Sequence, residues 1–239
     1  MTWPEVAAHL ARKGGVLLPT GSTEQHGPMG LIGTDTLCAS AIAEAAATLC
    51  GAVVAPPLGY APAPFNTGFP GTISIPEPLF QTLVATVLAE LNRQGFAQIY
   101  VVNGHGANLA PLRQAIAQVP DARIRLRSWW DFAPVNALRQ TLYGDWEGMH
   151  ATPSEIAITM AIGRQPPIPP EALVAPRKLD ADYIRAHAGD RHGPPEDHRR
   201  DFPDGRVGSH SALARADHGA ALLAAAARAL ADDYSAFAA

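Results

Sequence analysis

The chain has 239 residues, enough for a sizeable core in one large α/β unit or two small ones. Eighteen Lys and Arg against 22 Asp and Glu leave a net charge of −4, so there is no basic footprint for nucleic acid or an anionic membrane. At 17% charged and 47% hydrophobic, with alanine the commonest residue, the composition is neither disordered nor fibrous. No apolar run reaches the roughly 20 residues of a membrane-spanning helix. The first five residues lack the charged and apolar regions of a secretion signal, which points to a cytoplasmic protein. Cys38 and Cys50 fall in one predicted helix, about 18 Å apart and beyond disulfide reach, and are expected to be buried thiols. Nine histidines outnumber the seven Phe and the five Tyr.

Taken in chain order, residues 14–19 (GGVLLP) read as a short buried strand. Residues 36–49 form an alanine-rich helix with Asp35 placed to cap it. Residues 52–56 (AVVAP) are a second strand. Residues 77–94 are helical, with Leu83, Val87 and Leu91 spaced for one apolar face. A third strand at 98–103 (QIYVVN) precedes a helix at 109–118. Residues 123–127 (RIRLR) alternate as a half-buried or edge strand. A helix at 153–162 follows a Thr152 cap, with Pro153 at its first position. Residues 216–237 give the longest helix. This alternation predicts an α/β fold with a mainly parallel central sheet covered on both faces. We expect one domain over 1–239, interrupted by an irregular charged excursion at about 165–208 that opens with a proline cluster. A lid or subunit-contact role is the functional alternative for that excursion. Its His187, His192 and His198 are expected to be solvated. His9, His210 and His218 are expected at the surface or in caps.

Three constellations carry chemistry. Gly21–Pro28 (GSTEQHGP) directly follows the first strand, where ligands bind in open α/β sheets. In extended chain Glu24 and His26 project to the same side, and Asp35 follows nine residues on. Carboxylate, imidazole and carboxylate suit Zn, Mn or Fe(II); a turn contact, a packed histidine and a cap explain them equally well. The second constellation, Asn103-Gly104-His105-Gly106, again follows a strand, and core packing explains a histidine between glycines poorly. The third is Asp145–Glu155 (DWEGMHATPSE). There Glu155 is either a capping-box acid paired with Thr152 or a metal ligand or proton carrier beside His150. Trp146 reads as a buried anchor or as a stacking face. There is no G-x-S-x-G elbow, Walker A loop or G-x-G-x-x-G turn, which leaves a metal site that activates water.

Together these residues resemble the creatininase family of metal-dependent amidohydrolases. The likeness runs from Thr2-Trp3 through LLPTGSTEQHG to Asp35. It continues at Phe69-Pro70-Gly71-Thr72, Asn103-Gly104-His105, Ser128–Phe132 (SWWDF) and the spacing of Trp146, His150 and Glu155, and ends with the helix after Ala216. It covers most of the chain outside 165–208.

The resemblance implies a three-layer α/β/α domain, a homo-oligomer that is usually a hexamer, and two divalent metal ions (Zn, Mn or Fe) per subunit. Carried over, Glu24, His26, Asp35 and His105 are metal ligands, with Asp35 bridging. His150 with Glu155 moves a proton to the leaving nitrogen, and Trp130, Trp146 and Glu147 form the substrate pocket. The chain departs from creatininase after N-G-H, where Gly106 and Ala107 replace a Tyr and a metal-binding Glu. Glu155 is the candidate to supply the missing carboxylate. The usual G-P-H-x-P also reads Gly27-Pro28-Met29-Gly30-Leu31. The expected activity is hydrolysis of a non-peptide C–N bond in a small cyclic or planar amide, with creatinine to creatine the leading case. Alternatives are a formamide on a pyrimidine intermediate, the end of a modified peptide, or a non-catalytic metal or ligand-binding protein on the same fold. The partner implied is a small-molecule amide, with no nucleic acid and no membrane.

Overall fold

A computed structural model describes residues 1–164, 166–189 and 191–239. The four apolar runs become strands: Val16–Thr20 (β1), Val53–Val54 (β2), Ile99–Asn103 (β3) and Ile124–Ser128 (β4). They pair in parallel in the order β2-β1-β3-β4, so β1 and β3 are central and the arginine-rich β4 lies at an edge. Before, between and after them run the helices Trp3–Ala11 (α1), Thr34–Cys50 (α2), Glu77–Gln94 (α3), Leu109–Ala117 (α4), Ala133–Tyr143 (α5), Pro153–Ala161 (α6), Ala181–Ala186 (α7), Pro195–Asp201 (α8) and Ala216–Ala238 (α9).

The two-residue period of the strands sorts side chains into two cores. Leu17, Tyr100 and Val102 pack with the alanine-rich α2 and α9 and with Val135 of α5. Val16, Leu18, Ile99 and Val101 pack with Phe80, Val84 and Leu88 of α3 and Leu112 of α4. The result is the expected three-layer α/β/α arrangement. Small side chains let the helices approach closely on the first face. At Gly219 of α9 a Cβ would lie 1.8 Å from the Ala157 carbonyl oxygen of α6.

Several local expectations need correction. The buried stripe of α3 is Phe80, Val84, Ala85 and Leu88; Leu83 points outward, and Val87 and Leu91 are only half-buried. The cap of α2 is Gly33 in a left-handed conformation (φ 82°), and Asp35 lies inside the first turn, where its carboxylate is free for other work. Outside the 165–208 excursion two helices were not anticipated. The first, α1, begins with a capping box in which the Glu5 carboxylate accepts from the Thr2 N–H (2.5 Å) and hydroxyl (3.0 Å). The second, α5, has Pro134 in its first turn. Both cysteines are free; Cys38 is buried but Cys50 only half so.

The excursion at 165–208, of which residues 165 and 190 lie outside the described ones, contains α7 and α8 and is tied down at its C-terminal end. Arg206, 2% exposed, donates to the carbonyls of Ala172 (3.0 Å) and Val174 (2.9 Å) and pairs with Asp204 (2.7 Å). Gln25 Nε2 donates to the Gly205 carbonyl (3.0 Å), and the Met149 N–H donates to Val207 O (2.9 Å). Against expectation His198 is buried, and His187 and His192 are half-buried rather than fully solvated. His198 is buried against Phe65 (5.1 Å) and Phe202 (5.3 Å), His192 lies 4.9 Å from His198, and His187 stacks on Tyr183 at 3.8 Å. His9 is also buried, with Nε2 2.9 Å from the Gly15 carbonyl oxygen. Among the described residues no helix is long and apolar enough to cross a membrane.

Candidate metal centre

The site forms where β1 and β3 end. Their register sets Thr20, Asn103 and Ser128 side by side. Thr20 Oγ1 donates to Asn103 Oδ1 (3.2 Å), and Asn103 Nδ2 donates to Ser128 Oγ (3.1 Å) and to the His105 carbonyl (2.7 Å). This polar row fixes the two following loops. Glu24 and His26 come from the loop after β1, Asp35 from the first turn of α2, His105 from the loop after β3, and Glu155 from the first turn of α6. His150 is supplied by the segment just before that helix. All six are buried. Ala151, between His150 and the Thr152 cap, adopts a left-handed backbone (φ 56°), which for alanine stores strain beside the site.

The three histidines share one arrangement. Each ring turns one nitrogen to a backbone carbonyl and the other toward carboxylates. His105 Nε2 is 2.8 Å from Pro62 O, while its Nδ1 is 2.9 Å from Glu24 Oε1 and 3.0 Å from Asp35 Oδ2. His26 Nδ1 is 3.2 Å from Glu24 O, while its Nε2 is 2.9 Å from Asp35 Oδ1 and 3.9 Å from Glu155 Oε1. His150 Nε2 is 2.7 Å from Gln25 O, and its Nδ1 lies 3.9 Å from Glu24 Oε1. A carbonyl selects the tautomer that donates to it and leaves the opposite nitrogen as a lone pair. Lone pairs and carboxylate oxygens then converge, which requires positive charge between them. Glu24, Asp35 and His105 bring one ligand atom each within 4.8 Å of one another, as do His26, Asp35 and Glu155, and Glu24, His26 and His150. Asp35 thus joins two groups, one oxygen facing each. The donor set fits divalent cations, and neutral imidazole with carboxylate is the form that binds them.

Protons occupy this role when cations do not. Burial alone would lower His26, yet Asp35, Glu155 and Glu24 raise it to about 10. His105 is raised well above the usual imidazole range, against its burial, by Glu24 and Asp35. Glu24 and Asp35 are held below their ordinary values, against burial, by the imidazoles beside them. Burial pushes Glu155 up to about 8 and pulls His150 down to about 4. His150 therefore stays a neutral base beside the charged Glu24, Asp35, His26 and His105.

Further residues hold the ligands in place. Ser22 Oγ donates to Asp35 Oδ2 (2.7 Å), and Asn66 Nδ2 donates to Glu24 Oε2 (2.7 Å). The Thr152 N–H donates to Glu155 Oε1 at 2.5 Å and the Glu155 N–H donates to Thr152 Oγ1 at 3.2 Å, so Glu155 is a capping-box acid and a neighbour of His26 at once. Ser22, in the GSTEQH motif, and Asn66, in a loop without a motif signal, were both missed in the sequence.

A cavity of about 210 Å³ opens over this cluster. Glu24, Asp35, His105, His150 and Glu155 lie at its wall with Gly106, Trp129, Trp130 and Arg139. Trp130 is where the sequence reading puts it. Trp146 is not on the wall; its ring packs on His210 (5.6 Å) with the Lys178 ammonium 4.6 Å from its centroid. Glu147 is 9% exposed and is bound by Arg139 Nε (2.8 Å) and the Ser154 hydroxyl.

Acid and imidazole side chains gathered at the strand ends of a parallel α/β sheet make a donor set for divalent cations of the kind metal-dependent hydrolases use. The model of one family, described as creatinine amidohydrolase, matches residues 1–233. The chain belongs to the creatininase family, whose members are metal-dependent amidohydrolases, and it is an enzyme of that kind. It is 31% identical to the creatinine amidohydrolase of Pseudomonas putida over 181 residues, covering 68% of this chain and 70% of that one. It is 41% identical to the mycofactocin precursor peptide peptidase of Mycolicibacterium smegmatis over 111 residues, a match spanning 43% of each chain. The fold superposes on the crystal structure of a creatinine amidohydrolase with a TM-score of 0.83 at 24% identity, covering 99% of this chain and 95% of that one.

Proposed function

We propose that the chain is a binuclear enzyme that hydrolyses the C–N bond of a small amide. Glu24, Asp35 and His105 would hold one divalent ion and His26, Asp35 and Glu155 the other, with Glu155 making good the carboxylate absent at Ala107. The observation that carries this reading is the common orientation of His26, His105 and His150, each anchored on a carbonyl and aimed at shared carboxylates. Bound cations at such a site polarise the amide carbonyl and make water a nucleophile near neutral pH. The protein supplies the rest. The bonds from Ser22 and Asn66 fix Asp35 and Glu24, and the wall of Trp129 and Trp130 gives a planar group a face to lie against. His150 Nδ1, kept neutral by burial, accepts a proton and returns it to the departing nitrogen.

Zn, Mn and Fe all accept this donor set. Assembly as a hexamer remains part of the proposal through the family likeness, and light scattering of the purified chain decides it. Creatinine is the first substrate to try, since it is small, planar and cyclic; formamidopyrimidines and short peptides complete the panel. We expect about two divalent ions per chain by elemental analysis and metal-dependent turnover of at least one amide. A protein that takes up no ions, or that hydrolyses none of the panel when loaded, overturns the reading.

A further inference from the structure

Among the residues of the cavity wall, one charged side chain stands outside the metal chemistry. Arg139 projects from α5 and is the one Lys or Arg among the described residues of its wall. Its side chain is 18% exposed. Nε donates to Glu147 Oε1 (2.8 Å) and Nη1 to Asn136 Oδ1 (2.9 Å), and the guanidinium carbon lies 5.6 Å from the centroid of the buried Trp129 ring. Glu147 is itself held by the Ser154 hydroxyl. Nη2 donates to nothing among the described residues, so three of the five N–H groups of this half-buried guanidinium have no protein acceptor. A fork held at one edge by Glu147, with the Trp129 ring beside it, is prepared for a ligand that offers two oxygens.

We propose that Arg139 receives a carboxylate of the substrate, so that the enzyme prefers amides bearing a carboxylate over neutral ones. This inference rests on the amidohydrolase reading above and narrows it. Glu147 is then a positioning residue that acts through Arg139: it sets the plane of the fork and leaves Nη1 and Nη2 facing the ligand. Lysine is not a substitute, because a point charge lacks the fork.

The test uses metal-loaded full-length protein and Arg139→Gln, with Arg139→Lys as the conservative control. Hydrolysis is compared on pairs of amides that differ only in a carboxylate or its carboxamide. The expected result is a wild-type preference for the carboxylate member, and about a 10- to 100-fold rise in its KM in Arg139→Gln with little change in kcat. The neutral member should change by less than about 3-fold, and Arg139→Lys should recover only part of the loss. Equal losses on both members, or none on either, overturn the proposal. If the loaded wild type turns over neither member, the amidohydrolase reading fails by itself, and calorimetry with succinate still decides the anion site. Succinate affinity should fall about 10-fold or more in Arg139→Gln while affinity for the uncharged diamide succinamide holds. Unchanged succinate affinity overturns the inference. Metal content and melting temperature matching the wild type exclude misfolding as the cause.

Discussion

Two groups of three histidines stand out in this protein, one fully buried and one buried only at His198, and they behave oppositely. His26, His105 and His150 have carbonyls behind them and carboxylates in front. His187, His192 and His198 lie among Phe65, Tyr183 and Phe202. In the first group carboxylates overcome burial and raise His26 to about 10. In the second, burial and the neighbouring imidazoles lower His192 to about 3. Burial alone therefore does not make a ligand. A carbonyl that fixes the tautomer and a carboxylate that demands a cation do. His150 stands between the groups: its geometry is that of the first, and its depressed value of about 4 and its edge contact with Phe65 (6.2 Å) resemble the second. A neutral imidazole with its lone pair turned to the cluster is suited to carrying a proton.

This contrast can be broken by substitution. The largest effect is expected from Asp35→Asn, which removes the carboxylate shared by two ligand groups. Both ions should be lost by elemental analysis and activity should fall to background; retention of one ion per chain would show that Asp35 does not join the groups. Next, His150→Gln should lower kcat by about 10²–10³-fold with metal content unchanged, as loss of proton transfer requires. A drop in metal content would move His150 into the ligand set. Asn66→Ala removes the 2.7 Å bond that holds Glu24. It should weaken metal affinity by about 10–100-fold in a competition titration with a chelator. His198→Phe, in the aromatic group, should leave metal content intact and activity within about 3-fold, since an apolar ring of similar shape replaces a neutral one.

The smallest effect concerns acid stability. An imidazole with a lowered value takes up its proton in the unfolded chain first. The folded state therefore loses stability as pH falls from about 6.5 toward about 3. His192→Phe should make the melting temperature fall less steeply between pH 7 and pH 4. A slope equal to that of the wild type would show that His192 is not held neutral.

The gathering of acid and imidazole side chains was legible because most of them follow short apolar strands, and their order along the chain carries the family pattern. Strands and major helices were legible for a similar reason: hydrophobic period and turn residues are local signals. The excursion was not. Its order comes from partners far away in the chain, such as Gln25 on Gly205 and Phe65 on His198, which local composition cannot reveal. Nor was the buried stripe of α3, because Leu83 and Phe80 fit the same period and only packing decides which face turns inward. Arg139 escaped notice since its helix was missed, although Pro134 after Ala133 marked a helix start. Trp146 shows a residue that local pattern leaves open between anchor and stacking face, and its ring packs on His210.

The contact at Gly219 gives the end of the chain a say in the chemistry. With no side chain there, the backbone of α9 lies against Ala157, one turn from the Thr152–Glu155 box that opens α6. A single methyl group at this position must push α6 away, and Glu155 moves with it. A lesion more than sixty residues downstream of Glu155 in the sequence would then disturb the capping box that holds Glu155, which ties the alanine-rich helix α9 to the geometry of the candidate site.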